Sequence, residues 1–157
     1  MKKLIITIPA FNEEATIASV IKEIPRQING IDKVEILVCN DGSVDQTVEV
    51  AKHAGADYII SQKQNKGLAD TFKLAIENAL QRGADIIVNT DADNHYNQSR
   101  IPELIKPILD NKADIVIGGR EVNKLKYMPF FNRYGNILGS KFVCKLANLP
   151  KLDVSSG

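Results

Sequence analysis

Short runs rich in Ile and Val lie at positions 4–8, 34–38, 58–60, 86–88 and 115–117. They are too short for helices, and their Ile- and Val-rich, mostly apolar character is that of parallel strands buried on both faces. The stretches between them, 15–24, 45–54, 68–81 and 101–109, repeat apolar residues at helical spacing, as in Leu68, Phe72, Ala75, Ile76 and Ala79. The pattern predicts β-α four times over and then a fifth strand, a doubly wound α/β sheet. Ser43 or Asp45 is placed to cap the second helix, and Gly83 to stop the third. Right-handed crossovers carry the segments after each strand to one sheet edge, so 9–14, 40–45, 91–96 and 118–120 are expected to converge there.

After residue 120 the pattern changes. An aromatic and apolar stretch from Tyr127 to Phe131 leads into a helical run over about 132–149, where Arg133, Lys141 and Lys145 flank Tyr134, Ile137, Leu138, Phe142 and Leu146. Such an amphipathic helix with basic flanks suits a membrane surface, and the same periodicity suits a helix packed on the sheet or on a second copy of the chain.

The chain has 157 residues, 44% of them hydrophobic, enough for one domain with its own core. Its formal charge of +1 gives no global field for nucleic acid, so anion binding has to come from local geometry. Cys39 and Cys144 lie far apart without ligand spacing and read as free thiols of a reducing compartment. Residues 1–9 hold an apolar stretch shorter than a signal sequence and far too short for a bilayer. The expectation is a cytoplasmic chain, peripheral on the cytoplasmic face of a membrane.

The loop chemistry centres on Asp91-Ala92-Asp93, directly after the fourth apolar run. Two carboxylates at a strand's C-terminal end stand where α/β folds bind ligands, and hard oxygen donors suit Mg²⁺ or Mn²⁺. The same pair also reads as a solvated turn or helix cap. Pro9 ends the first strand, with Glu13 and Glu14 at a helix start, where acids complement the helix dipole. After the second strand, Gly42 permits a tight turn, and capping accounts for Ser43, Asp45 and Thr47. Asp41 is left as a hydrogen-bond acceptor for a base or ribose.

Taken together, these loops resemble the family 2 glycosyltransferases, and within them the polyprenyl-phosphate and dolichyl-phosphate sugar transferases. The resemblance rests on Pro-Ala-Phe-Asn-Glu-Glu at 9–14, Asn-Asp-Gly-Ser-Val-Asp-Gln-Thr at 40–47, Asn-Lys-Gly-Leu-Ala at 65–69 and Asp-Ala-Asp at 91–93. Ala-Asp-Ile-Val-Ile-Gly-Gly-Arg at 113–120 and Asp-Val-Ser-Ser-Gly at 153–157 complete it. It implies a GT-A fold, a Rossmann-like three-layer sandwich with a mostly parallel central sheet. Residues 1–120 would form the nucleotide-sugar-binding core, and 121–157 the truncated start of an acceptor-side, membrane-proximal helical region, within one domain overall.

By the same resemblance, Pro9, Phe11 and Glu13 would line the base and ribose, and Asp41 would hydrogen-bond the base. Asp91 would contact the donor near its ribose and metal, and Asp93 would be the main ligand of the ion bridging the two phosphates. Arg120 and Arg133 would hold the acceptor phosphate. Three departures stand out: Asn40 replaces the first acid of the usual Asp-Asp-Gly-Ser, His95 replaces a frequent Gln, and the chain stops at Gly157. His95 reads either as a third metal ligand, which would favour Mn²⁺, or as an exposed loop residue.

The implied reaction is inverting transfer of a sugar from a GDP- or UDP-linked donor to an acceptor, foremost a polyprenyl phosphate. A metal held by Asp91 and Asp93 would stabilise the leaving diphosphate. An ionised acceptor phosphate needs positioning by arginine more than it needs a base, whereas a saccharide or other hydroxyl acceptor would need one, for which Asp153 is the candidate. A nucleotidyltransferase would bring a glycine-rich, basic first loop, and residues 9–14 are acidic instead. A dehydrogenase would show Gly-x-Gly-x-x-Gly after the first strand, and none is present. A non-catalytic nucleotide-sugar-binding or membrane-docking module is the remaining alternative.

Overall fold

The computed structural model describes residues 1–118. They form β1 (Lys3–Ala10), α1 (Ile17–Glu23), β2 (Lys33–Asn40), α2 (Thr47–Ala54), β3 (Tyr58–Ser61), α3 (Leu68–Gln81) and β4 (Ile86–Asn89). A single 3₁₀ turn, Gln98–Arg100, then leads into α4 (Ile101–Leu109). The four strands are parallel and stand in the order β3-β2-β1-β4.

That order dictates where the helices lie. The chain steps from β1 to β2 to β3 in one direction and then doubles back across the sheet to β4. With right-handed crossovers, reversing the direction puts the connecting helix on the opposite face. Accordingly α1 and α2 share a core with one face of the sheet, and α3 covers the other.

Strand alternation divides the core in the same way. Leu4, Ile6 and Ile8 of β1, with Ile36 and Val38 of β2, pack against Ile17, Val20 and Ile21 of α1, Ala51 of α2 and Ile101 and Ile105 of α4. Ile5, Leu37 and Cys39 face the other way onto Ala75 and Ala79 of α3. The small alanines let α3 approach the sheet closely, and each fully buried Ile or Leu stabilises the fold by about 1.5–3 kcal/mol. The result is the three-layer α/β sandwich of the GT-A type, its described strands all parallel.

Two expectations are corrected. Residues 115–117 form no strand; Ile115 is 82% and Ile117 64% exposed. An apolar run marks what can be buried, but it becomes a strand only where a ladder partner takes it up. The helices after β1 and β2 begin at Ile17 and Thr47 rather than at 15 and 45, because the residues just before them are engaged in turns and cross-loop hydrogen bonds. Gly83 behaves as expected: at φ 75° it follows the last turn of α3, with its N–H donating to Leu80 O at 2.9 Å.

The first compact unit of the chain spans residues 1–114. The amphipathic run at 132–149, Cys144 and the candidate residues Arg120, Arg133 and Asp153 lie outside the described residues. Among the described residues, no helix is long and apolar enough to cross a membrane.

Candidate functional site

The C-terminal ends of the strands carry the candidate residues, and the strand order reverses between β1 and β4, the place where open α/β sheets form a ligand crevice. In-register pairing ends with Ala10 beside Asn40, so the connections after β1 and β2 leave the sheet side by side. Asp41 N donates to Ala10 O at 2.9 Å and carries the pairing one step beyond the strands.

The two connections are stitched together residue by residue. Asn12, in the left-handed region at φ 57°, donates its N–H to Ser43 Oγ at 2.9 Å and accepts from Val44 N on Oδ1 at 3.0 Å. Glu13 N donates to Thr47 Oγ1 at 2.8 Å, and Glu14 N to Asp45 Oδ2 at 3.2 Å. Glu14 returns the contact, its Oε2 accepting from Gln46 N at 2.9 Å. Asp45 also accepts from Thr47 N at 3.0 Å, the capping role expected of it. Partial desolvation pushes the Asp45 carboxyl up, but bonds from the Thr47 hydroxyl and N–H and from Glu14 N–H outweigh this and hold it below the ordinary carboxylate range.

Asn40 is 4% exposed, and its amide both accepts from Ser43 N at 3.0 Å and donates to Ser61 Oγ at 3.2 Å. A neutral amide fills this buried position without the desolvation cost of a second carboxylate beside Asp41. The departure from Asp-Asp-Gly-Ser therefore keeps the turn intact.

Asp41 is itself buried, at 4% exposure, and its carboxylate reaches across to the connection between β3 and α3. Oδ1 accepts from Gln62 Nε2 at 2.9 Å and Lys66 N at 2.8 Å, and Oδ2 from Gly67 N at 2.9 Å. Gln62 Nε2 donates as well to Thr71 Oγ1 at 2.8 Å. The segment 62–67 is thus folded onto Asp41, and it passes so close to Gly42 that a Cβ there would meet Gln64 backbone carbon at 2.6 Å.

These connections border a half-open pocket of about 250 Å³. Pro9 and Ala10 line it from the end of β1, Phe11 and Asp41 from the loops just after β1 and β2, Asn65 and Gly67 from the β3–α3 connection, and Leu68 and Thr71 from the first turn of α3. Its size is that of a flat ring rather than of a whole ligand, which ordinarily occupies roughly 300–1,000 Å³. Phe11, 44% exposed, offers a face for stacking, and Asp41 offers a buried acceptor at the inner wall. Three residues expected to bind substrate, Pro9, Phe11 and Asp41, therefore share one pocket.

Glu13 belongs to the neighbouring turn instead. It is half-buried, its Oε2 accepts from Thr16 Oγ1 at 2.6 Å, and its carbonyl receives Ile17 N at 3.0 Å as α1 begins.

Asp91 and Asp93 follow β4 at the same edge, with Thr90 N bonded to Thr7 O at 3.1 Å. Asp91 is half-buried. Asp93 is 38% exposed and paired with His95: Oδ1 accepts from His95 N at 3.0 Å, and Oδ2 lies 2.6 Å from His95 Nδ1. Among the described residues no three His, Cys, Asp or Glu side chains are gathered as a metal cage. The donor set still fits Mg²⁺ or Mn²⁺, since these ions are held by one or two carboxylates plus substrate phosphates.

Asn65, Gly67 and Leu68, part of the motif at 65–69 but given no role from the sequence, build the pocket's outer wall with Thr71, and Gln62 braces Asp41 from behind; Gln62 and Thr71 escaped the sequence reading. The available signal was Gly67, which at φ 92° opens α3 and exposes its N–H to Asp41. Cys39, by contrast, is a core residue; burial pushes its thiol up to about 12, so it is not a nucleophile at neutral pH.

A three-layer α/β domain with acids and a ring-sized pocket at its strand ends is the architecture of GT-A nucleotide-binding cores. Residues 5–151 match the profile of Glycosyl transferase family 2, and the chain belongs to that family. The dolichyl-phosphate hexose transferase of Haloferax volcanii is 33% identical over 98% of this chain and 64% of its own length. The UDP-N-acetylglucosamine–dolichyl-phosphate N-acetylglucosaminyltransferase of Methanococcus voltae is 30% identical over 90% of this chain and 62% of its own. The chain therefore spans somewhat under two thirds of each relative. Among solved structures, glucosyl-3-phosphoglycerate synthase from Mycobacterium tuberculosis, in complex with Mn²⁺, UDP-glucose and phosphoglyceric acid, superposes with a TM-score of 0.56 at 30% identity. That match covers 69% of this chain and 39% of the other.

Proposed function

We propose that this chain is the donor-binding part of an inverting glycosyltransferase that takes a sugar from a GDP- or UDP-linked donor. The observation that carries the reading is the pocket where Pro9, Phe11 and buried Asp41 meet, at the sheet edge that also bears Asp91 and Asp93. In this reading the base stacks on Phe11 and donates to Asp41, while the diphosphate extends toward the loop after β4.

Asp91 and Asp93 would hold Mg²⁺ or Mn²⁺, which when bound neutralises the charge that develops on the leaving diphosphate. His95 fixes the Asp93 carboxylate through Nδ1 and its backbone N–H, as an outer partner orients a metal ligand. The relatives named for dolichyl phosphate support a polyprenyl-phosphate acceptor at a membrane surface. Such an acceptor is already ionised and attacks the anomeric carbon from the face opposite the leaving group. Arg120 and Arg133 would clamp its phosphate, and Asp153 would serve as base only for a hydroxyl acceptor.

The test is a calorimetric titration of this chain with UDP- and GDP-sugars, with and without Mn²⁺. Binding should depend on the metal and fall at least tenfold in Asp93→Ala, an effect of the size expected when a charged donor contact is lost. Unchanged binding in that variant would sink the metal role, and no binding of either nucleotide sugar would sink the donor reading. The acceptor is tested by transfer assays: transfer to a polyprenyl phosphate is expected, and transfer only to saccharide hydroxyls would overturn the lipid assignment.

A further inference from the structure

The Asp41 carboxylate offers about four lone-pair directions, two on each oxygen. Among the described residues, Gln62 Nε2 and Lys66 N occupy both directions on Oδ1, and Gly67 N occupies one on Oδ2. One acceptor direction is left, on Oδ2. Two of the three occupants are backbone N–H groups fixed by the loop, so among the described residues the side chain that decides this number is Gln62.

Gln62 is itself held from behind. Its Nε2 donates simultaneously to Thr71 Oγ1 at 2.8 Å, on α3, where Thr71 is 1% exposed. The amide is therefore clamped between a buried hydroxyl and Asp41, and its own hydrogens are both spent.

We propose that Gln62 is a positioning residue that sets base specificity: by filling Asp41 Oδ1, it makes the pocket select a base edge with one N–H, that of uracil, over guanine. The inference rests on the nucleotide-sugar reading above. Guanine presents N1–H and an N2 hydrogen side by side, a pair that a carboxylate accepts with both oxygens at once. Here it finds one oxygen able to accept and the other full. An N–H left unpaired against the buried Asp41 carboxylate weakens binding on the order of tenfold. Uracil presents a single N3–H, which the remaining direction on Oδ2 satisfies. Removing the Gln62 amide restores one free direction to each oxygen, the arrangement guanine needs.

The experiment is titration of the 157-residue chain with UDP and with GDP, each with Mn²⁺, in wild type and Gln62→Leu, with Gln62→Met as a second variant should the first melt early by circular dichroism. Wild type should bind UDP about tenfold more tightly than GDP. In the variants the ratio should shrink to within about threefold, through tighter GDP binding. A merely structural role for Gln62 would weaken both nucleotides together and leave the ratio standing, which overturns the proposal. GDP binding as tightly as UDP in wild type overturns it too, while the nucleotide-sugar reading survives. If neither nucleotide binds, that reading falls and takes this one with it.

Discussion

Gly42 sits at the point where three loops meet, and two independent facts forbid a side chain there. Its φ of 74° lies in the left-handed region, and an added Cβ would press on the backbone of Gln64 and Asn65 at 2.6–2.8 Å. The first costs about 1–2 kcal/mol and the second about 1–3 kcal/mol, because the obstacle is backbone held by Asp41 and cannot swing aside. Gly42→Ala is expected to lose about 2–5 kcal/mol in urea unfolding and to weaken nucleotide binding, since relief of the clash displaces the wall that carries Asn65 and Gly67. A stability within about 0.5 kcal/mol of wild type, an ordinary surface effect, would show that segment 62–67 yields easily. Asp41 and Gly42 are thus one device: the carboxylate pulls the wall in, and the glycine leaves room for it.

At the scale of elements, the four strands and four helices of residues 1–109 were legible because period and composition act locally. The run Leu4, Ile5, Ile6 and Ile8 shows no alternation with polar residues, so it can only be buried on both faces, and it is. What pattern does not encode is pairing between residues some thirty positions apart. Ser43 reads as a helix cap, yet its hydroxyl accepts from Asn12 N; Thr47 reads as a helix start, yet its hydroxyl accepts from Glu13 N. Of the site, Pro9, Phe11 and Asp41 were legible through family resemblance, whereas Gln62 and Thr71 act through Asp41 and carry no motif of their own. The fifth strand failed for the converse reason, since residues 115–117 have the composition of a strand without a ladder among the described residues. The stitch between loops can be measured. Thr47→Val keeps the shape of a fully buried side chain but strands Glu13 N and takes the hydroxyl's bond from Asp45, at about 1–3 kcal/mol. The melting temperature should fall by roughly 2–12 °C, and Thr47→Ser should recover most of it. An unshifted melt would mean that the two loops hold together without this bond.

Across the whole molecule, the site occupies one end of the sheet and a buried charge cluster the other, joined by the same strands. Glu35 of β2 has a side chain only 2% exposed; Lys33 Nζ lies 2.6 Å from its Oε1, Lys3 Nζ 3.4 Å from its Oε2, and Tyr58 donates to Oε1 at 3.1 Å. Arg82, past the end of α3, lies over the Tyr58 ring at 3.9 Å, and its carbonyl accepts from Lys3 Nζ at 2.9 Å. The cluster therefore ties β1, β2, β3 and α3 at the end remote from the pocket. Burial alone would raise the Glu35 carboxyl, but Lys33, the Tyr58 hydroxyl and Lys3 outweigh it and hold the group below its ordinary value of 4.5. A carboxyl so lowered binds fewer protons in the folded chain than in the unfolded one. Its contribution to stability is present above the unfolded value and drains as pH falls through the lower folded one. Denaturant unfolding followed from about pH 7 to about pH 3 should show wild type losing stability below about 4.5, where unfolded carboxyls begin to take up protons. Glu35→Gln should start less stable at neutral pH and lose less on acidification, because the amide has no proton to take up. Asp45, also lowered but at the exposed loop, stays in both proteins and cancels in the comparison. Parallel curves for the two proteins would mean that Lys33, Lys3 and Tyr58 contribute nothing to stability through this carboxylate.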